Sequence, residues 1–127
     1  MTEKRHKRKF INFILNQIKD ISNPKILEFG VSEKGLSTSI FLDLCKEKSG
    51  KLISVDNNPN SRKFIDSNWK FINTRDDNFV EIEKIIKDQI FDIIYLDTIH
   101  KAEHVAKILF YYYDRLKKGG YFFIDDT

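Results

Sequence analysis

Apolar positions along this chain change period several times, and each change marks an element. Phe10, Phe13, Ile14, Ile18 and Ile21 recur three and four apart, so residues 5–21 are predicted as an amphipathic helix that ends before Ser22-Asn23-Pro24. Ile26, Leu27 and Phe29 form a short apolar run closed by Gly30, and Leu36, Ile40, Phe41, Leu44 and Cys45 return to helical spacing until Gly50. Leu52, Ile53 and Val55 make a second strand ending at Asp56. A short helix is expected around Arg62 to Asp66, then a third strand from Trp69 to Ile72. Asn78, with Glu81 three residues on, is an N-cap signature for a helix carrying Phe79, Ile82, Ile85 and Ile86 to about Gln89. Phe91 to Leu96 is the near-continuous apolar run of a central parallel strand. Val105, Ile108, Leu109, Tyr112 and Leu116 mark a last helix, expected to stop at Lys117-Lys118-Gly119-Gly120 before a strand from Tyr121 to Ile124.

Five strands alternating with helices imply an α/β fold with a parallel sheet covered on both faces. In such a sheet the strands' carboxyl ends share one rim, and the acids Asp56, Asp76 or Asp77, Asp97, and Asp125 with Asp126 all follow expected strand ends. The turn from Gly30 to Gly35 has the strand, glycine turn, helix anatomy of a Rossmann-like sheet, in which the helix amino end favours electron-rich ligand atoms. Its glycines lie five apart, so the dinucleotide pattern G-x-G-x-x-G is not met. Asp56 either accepts hydrogen bonds from a ribose or is a solvated turn residue in Asp-Asn-Asn-Pro. Asp97 and the Asp125-Asp126 pair would be neighbours on adjacent strands. Three carboxylates so close repel unless a cation relieves them, and a hard ion such as Mg²⁺ suits an all-oxygen set. His100, three residues after Asp97, has the side chain of a general base near neutral pH, whereas His104 is read as a surface or packing histidine.

Composition narrows the setting. At 127 residues the chain is one domain, divided into a basic tail with its helix (1–24) and a Rossmann-like unit (25–127). No apolar run reaches membrane-spanning length, and no signal-peptide pattern precedes the first helix. The lone Cys45 cannot pair within the chain and falls on an apolar helix face, so a buried structural thiol and a cytoplasmic setting are expected. The net charge of +3 resides in the tail: residues 1–9 carry Lys4, Arg5, Lys7, Arg8 and Lys9 against Glu3. Without aromatic-interleaved basic patches downstream, that tail reads as a solvated helix start rather than a nucleic-acid surface.

On these residues the chain resembles the class I S-adenosylmethionine-dependent methyltransferases over nearly all of 25–127. Glu28-Phe29-Gly30 to Gly35-Leu36-Ser37-Thr38 is similar to the superfamily's first motif, and Ser54-Val55-Asp56 to its second. Phe91 to His100, followed by Leu116 to Thr127 with its Gly-Gly, apolar strand and Asp-Asp, resembles the metal-dependent O-methyltransferase branch of cephalosporin-pathway and macrolide-sugar enzymes. The resemblance implies a three-layer sandwich with strand order 3-2-1-4-5. It also implies a cofactor site of Glu28, Gly30, Val31, Gly35, Ser37, Thr38, Asp56, Asn57 and Asp97, with Asp76 or Asp77 near the adenine. Asp97, Asp125 and Asp126 would be Mg²⁺ ligands, and His100 the base acting beside Asp97.

Three departures accompany the resemblance. The glycine loop is one residue longer than the family's, and Thr98 stands where a glycine is usual. The family's helix and C-terminal hairpin after the fifth strand are missing, which suggests a truncated chain, a natural fragment, or a protomer completed by a partner, with the fifth strand open to pairing with a second copy. Metal-assisted methylation of a small-molecule hydroxyl is the function implied. A noncatalytic nucleotide-binding or scaffold domain is the alternative, and a nicotinamide dehydrogenase a third reading disfavoured by the glycine spacing.

Overall fold

The computed structural model describes residues 2–32, 34–62, 64–97 and 101–125, with side chains from residue 8 onward. His100 and Asp126, expected as base and metal ligand, lie outside the described residues. The chain runs α1 (Thr2–Ile18), β1 (Lys25–Phe29), α2 (Leu36–Lys48), β2 (Lys51–Asp56), β3 (Trp69–Asn73), α3 (Phe79–Ile86), β4 (Phe91–Leu96), α4 (Ala102–Tyr112) and β5 (Leu116–Ile124). The strands form one sheet in the order β3-β2-β1-β4-β5, and every neighbouring pair is parallel. The α/β class and the strand order expected from the sequence are therefore both present.

Alternation along the strands divides the core into two layers. Leu27, Phe29, Ile53, Val55, Ile94 and Leu96 pack against Ile82 and Ile86 of α3 and Ile108 and Tyr112 of α4. Ile26, Leu52, Ile93 and Tyr95 face Ile11, Ile14 and Ile18 of α1 and Phe41, Leu42 and Cys45 of α2. β4 is buried along its whole length, as a strand with helices on both sides must be. Cys45 is fully buried and its thiol is pushed up to about 12 by desolvation, which fits a structural side chain rather than a nucleophile.

Four sequence expectations are corrected. α1 begins and ends three residues earlier than expected; its buried stripe is Ile11, Ile14 and Ile18, and Phe13 is 54% exposed. No helix spans 62–66 among its described residues. A single 3-10 turn stands at Pro59–Ser61 instead, because the Asn58 side chain accepts from the Asn60 amide and Pro59 supplies the fixed first position. Farther on, Asp66 accepts from the Asn68 amide and turns the chain directly into β3.

The α4 helix stops at Tyr112, followed by a 3-10 turn at Tyr113–Arg115, so Leu116 begins β5 instead of ending a helix. Lys117 to Gly120 then form an irregularity inside that strand, where the register jumps from Phe91↔Leu116 to Ile93↔Tyr121.

Candidate functional site

The construction of the site begins below its surface, at Glu28. This residue of β1 is fully buried, and its carboxylate accepts from the hydroxyls of Ser37 (2.7 Å) and Thr38 (2.7 Å) in the first turn of α2 and from Ser54 (2.7 Å) on β2. The Trp69 indole N–H in turn donates to Ser54 Oγ at 2.9 Å. One carboxylate thus ties together three strands and a helix. Burial raises the pKa of Glu28, and the three hydroxyl donors oppose that rise without cancelling it. Glu28, Ser37 and Thr38, expected as cofactor ligands, do not line the cleft described below; they brace the turn beneath it.

That turn is short and strongly bonded. The Gly30 amide donates to Val55 O (2.8 Å), and Gly30 takes φ 95°, a conformation a side chain would oppose. Gly35 sits at φ 64° at the start of α2, with its amide on Ser32 O, while Ser32 Oγ accepts from the Leu36 amide at 3.2 Å. Asp56, at the end of β2, reaches across: Oδ2 accepts from the Val31 amide at 2.7 Å, and Oδ1 from the Asn58 amide at 3.0 Å. Asp56 therefore fixes the loop next to it in addition to facing solvent, a duty that spacing along the chain could not reveal.

A cleft of about 630 Å³ opens at this rim, lined by Gly30, Val31, Ser32, Val55, Asp56, Asn57, Arg75, Asp76 and Asp97. Gly30, Val31, Asp56, Asn57, Asp76 and Asp97 from the sequence expectations meet here, whereas Gly35 does not line it. Asp76 and Asp77 differ in their surroundings. Asp76 lines the cleft, while Asp77 is gripped in a fork by Arg75 (2.9 and 3.0 Å) and reached by Lys107 (3.3 Å). The Arg75 bonds hold the Asp77 carboxyl below the usual carboxylate range.

His104, read as a surface or packing histidine, is the packing kind. Its side chain is 13% exposed, and Nε2 lies 2.8 Å from Asp76 Oδ2. Arg75, Ser32 and the His104 partnership were missed; the signal available was that Arg75 directly precedes an expected rim acid, and that His104 falls in the first turn of a helix opening at the same rim.

The other acids gather at the ends of β4 and β5. The Leu96↔Ile124 pairing places Asp97 and Asp125 next along adjacent strands, and their amides bond to Phe29 O (2.8 Å) and Leu96 O (2.9 Å). Asp125 is buried, with Oδ2 on the Tyr95 hydroxyl at 2.7 Å. Burial, that hydrogen bond and the nearby charges of Asp125, Asp97 and Glu28 all push the Tyr95 pKa up, so the phenol remains a donor. Asp97 and Asp125, following paired positions of adjacent strands, are oxygen donors of the kind a hard divalent cation takes.

A second grouping, Asp76, Asp77 and His104, also brings three ligand-type atoms within 4.8 Å of one another. Within it, Asp77 already pairs with Arg75 and Lys107, and Asp76 with His104.

Comparison with known proteins agrees with this geometry. A family described as a methyltransferase domain matches residues 27–127. No curated protein matches the sequence. Among solved structures, a Plasmodium falciparum protein assigned as a ribosomal RNA methyltransferase is similar with a TM-score of 0.66 and 19% identity, over 92% of this chain and 74% of its own. The MycE methyltransferase of the mycinamycin biosynthetic pathway, solved with Mg and S-adenosylhomocysteine, superposes with a TM-score of 0.70 and 19% identity over 99% of this chain. A short chain dehydrogenase family protein from Francisella tularensis reaches 0.60 at 21% identity over 82% of this chain, so these likenesses speak for the fold alone. The chain spans only 34% of the MycE chain and 51% of the dehydrogenase. With the family match covering most of the chain, from within β1 onward, the chain belongs to the methyltransferase-domain family, of the class I S-adenosylmethionine-dependent type that its motifs resemble.

Proposed function

We propose that the chain binds S-adenosylmethionine in the rim cleft and serves metal-assisted O-methylation of a small-molecule hydroxyl. The observation that carries this reading is the convergence of Asp56, Asp76 and Asp97, from the ends of three different strands, on one cleft beside the glycine turn. Asp56 would accept from the ribose hydroxyls with the lone pairs its amide partners leave open, and Gly30 and Val31 would let the ligand approach the backbone closely. Asp97 and Asp125, with Asp126 beyond the described residues, would hold a hard cation. MycE, a fold relative solved with Mg, supports the same assignment.

When bound, the sulfonium cofactor supplies the activated methyl group, and the cation supplies positive charge that favours a deprotonated acceptor oxygen. The chain's own part is to align the acceptor and take up its proton, the role proposed for His100. Self-association through the outer edge of β5 is the companion proposal, since β5 is the last strand of the described sheet. Calorimetric titration with S-adenosylhomocysteine and, in parallel, NAD tests the core of the reading. Binding of the former without the latter is expected, and absence of S-adenosylhomocysteine binding would end it.

A further inference from the structure

β5 is the last strand of the sheet, and no strand lies on its outer side among the described residues. Its composition is not that of an edge. Tyr121, Phe122, Phe123 and Ile124 are large apolar residues in succession, and none is buried: the first three are half-buried and Ile124 is 38% exposed. Strands that remain at an edge are guarded by charges, bulges or proline. The opposite edge follows that rule, with Lys70 and Asn73 exposed in β3. β5 has such guards, Lys117-Lys118 and the irregularity up to Gly120, in its first half only.

The backbone leaves the second half open to pairing. The Asp125 amide bonds to Leu96 O of β4, so by the alternation of a strand the amide and carbonyl groups of Phe122 and Ile124 point away from the sheet. On the face covered by α1, Phe13 is 54% exposed with its ring edge-on to Phe123 at 6.4 Å, and Tyr121 stacks on Phe123 at 5.6 Å. An aromatic margin thus accompanies the open backbone.

Charge selects the partner. In order, the segment reads Lys117-Lys118, Gly119-Gly120, the apolar run Tyr121 to Ile124, then Asp125-Asp126, the last outside the described residues. Cations stand at one end and anions at the other. Laid parallel on a copy of itself, this segment sets like charge on like; laid antiparallel, it sets each lysine end against an acid end. A two-fold axis through the seam, the commonest closure for two copies, pairs the strands antiparallel.

We propose that two copies of this chain join edge to edge through β5, antiparallel about Phe122, so that the Lys117-Lys118 end of each meets the Asp125-Asp126 end of the other. This gives the geometry of the self-association proposed above, and rests on it. Phe122 lies on the axis, Ile124 faces Gly120 of the partner subunit, and Tyr121 faces Phe123 of the partner subunit. The axis is normal to the sheet, so both α1 helices lie on one face and each Phe13 flanks the seam. The two rims point in opposite directions, which leaves each cleft open.

Sedimentation equilibrium of the full chain and its variants tests this. The wild type should form a dimer that dissociates on dilution. Ile124→Pro removes an amide that β4 does not use, so it should retain a cooperative melt yet weaken the dimer at least roughly tenfold. Lys118→Glu and Asp126→Lys each bring like charges together twice per dimer, and each alone should weaken it roughly tenfold. Mixed in equal amounts they should recover wild-type affinity, because the mixed pair restores both attractions; this arm stands even where the proline variant fails to fold. A wild type that stays monomeric at its highest soluble concentration would remove the self-association and this geometry with it. A dimer untouched by Ile124→Pro and by both charge variants would leave self-association standing and overturn the β5 geometry. Weakening in each charge variant without recovery in the mixture would overturn the antiparallel register.

Discussion

Glu28 carries an unusual load for one side chain, because three hydroxyls from two places along the chain, the start of α2 and β2, depend on it as acceptor. Replacing it with alanine would leave those hydroxyls buried without their partner and open a void beneath the glycine turn. Glu28→Ala is expected to lower unfolding free energy by roughly 3 kcal/mol or more, measured by urea denaturation. Its titration adds a signature. Burial raises the native pKa above the ordinary value of 4.5, so the native state binds the proton more tightly than the unfolded chain. The stability tied to that proton is fully present below about 4.5 and is lost as pH rises through the native value. Wild-type stability relative to Glu28→Gln should therefore improve as pH falls from neutral toward 4.5, and parallel stability curves for the two proteins would contradict a raised pKa.

At the scale of elements, what was legible in the sequence was whatever burial periodicity alone decides. The parallel α/β sheet follows from alternating strands and helices, its strand order from the family resemblance, and β4 from its unbroken apolar run. The Asn78 cap was visible as well, and its Oδ1 does meet the Glu81 amide, at 3.4 Å. What stayed hidden depended on partners remote in sequence. Gly119-Gly120 looks like a helix stop, because glycine commonly follows helices. Its actual setting is a β5 irregularity pressed onto β4: a Cβ on Gly120 would lie 2.8 Å from Asp92 O and 2.9 Å from Lys117 O. Asp92 is itself committed there, accepting from the Lys25 amide at 2.9 Å. Gly120→Ala should therefore cost roughly 1–3 kcal/mol, since backbone has to yield. Gly119→Ala is the control for space, having nothing within 4 Å but a φ of 83°, and it should cost about 1 kcal/mol from conformation alone. Equal and negligible losses at both positions would mean that the irregularity is not a packed feature. The partner of His104 was hidden for the same reason, since Asp76 lies 28 residues away.

Over the whole molecule, parallel topology does the gathering that no local motif performs. The acids that follow β2, β3, β4 and β5 gather at the same rim, and the two helical layers that cover the sheet leave that rim as the place where carboxylates from distant segments meet. Such convergence costs electrostatic energy. Asp97 lies close enough to raise Glu28 and, with Asp125, to raise Tyr95. A cation at the ends of β4 and β5 would relieve this repulsion in the native state and in no other, because Asp97 and Asp125 are neighbours only when the two strands are paired. Metal binding and folding should then be linked. Mn²⁺, as a spectroscopic stand-in for Mg²⁺, should raise the melting temperature of the wild type and bind it at least roughly tenfold more tightly than Asp97→Asn or Asp125→Asn, as the loss of one charged ligand requires. Cation affinity unchanged in both variants would leave the carboxylate pair without a metal, and the relief of its charge would have to come from the protein itself.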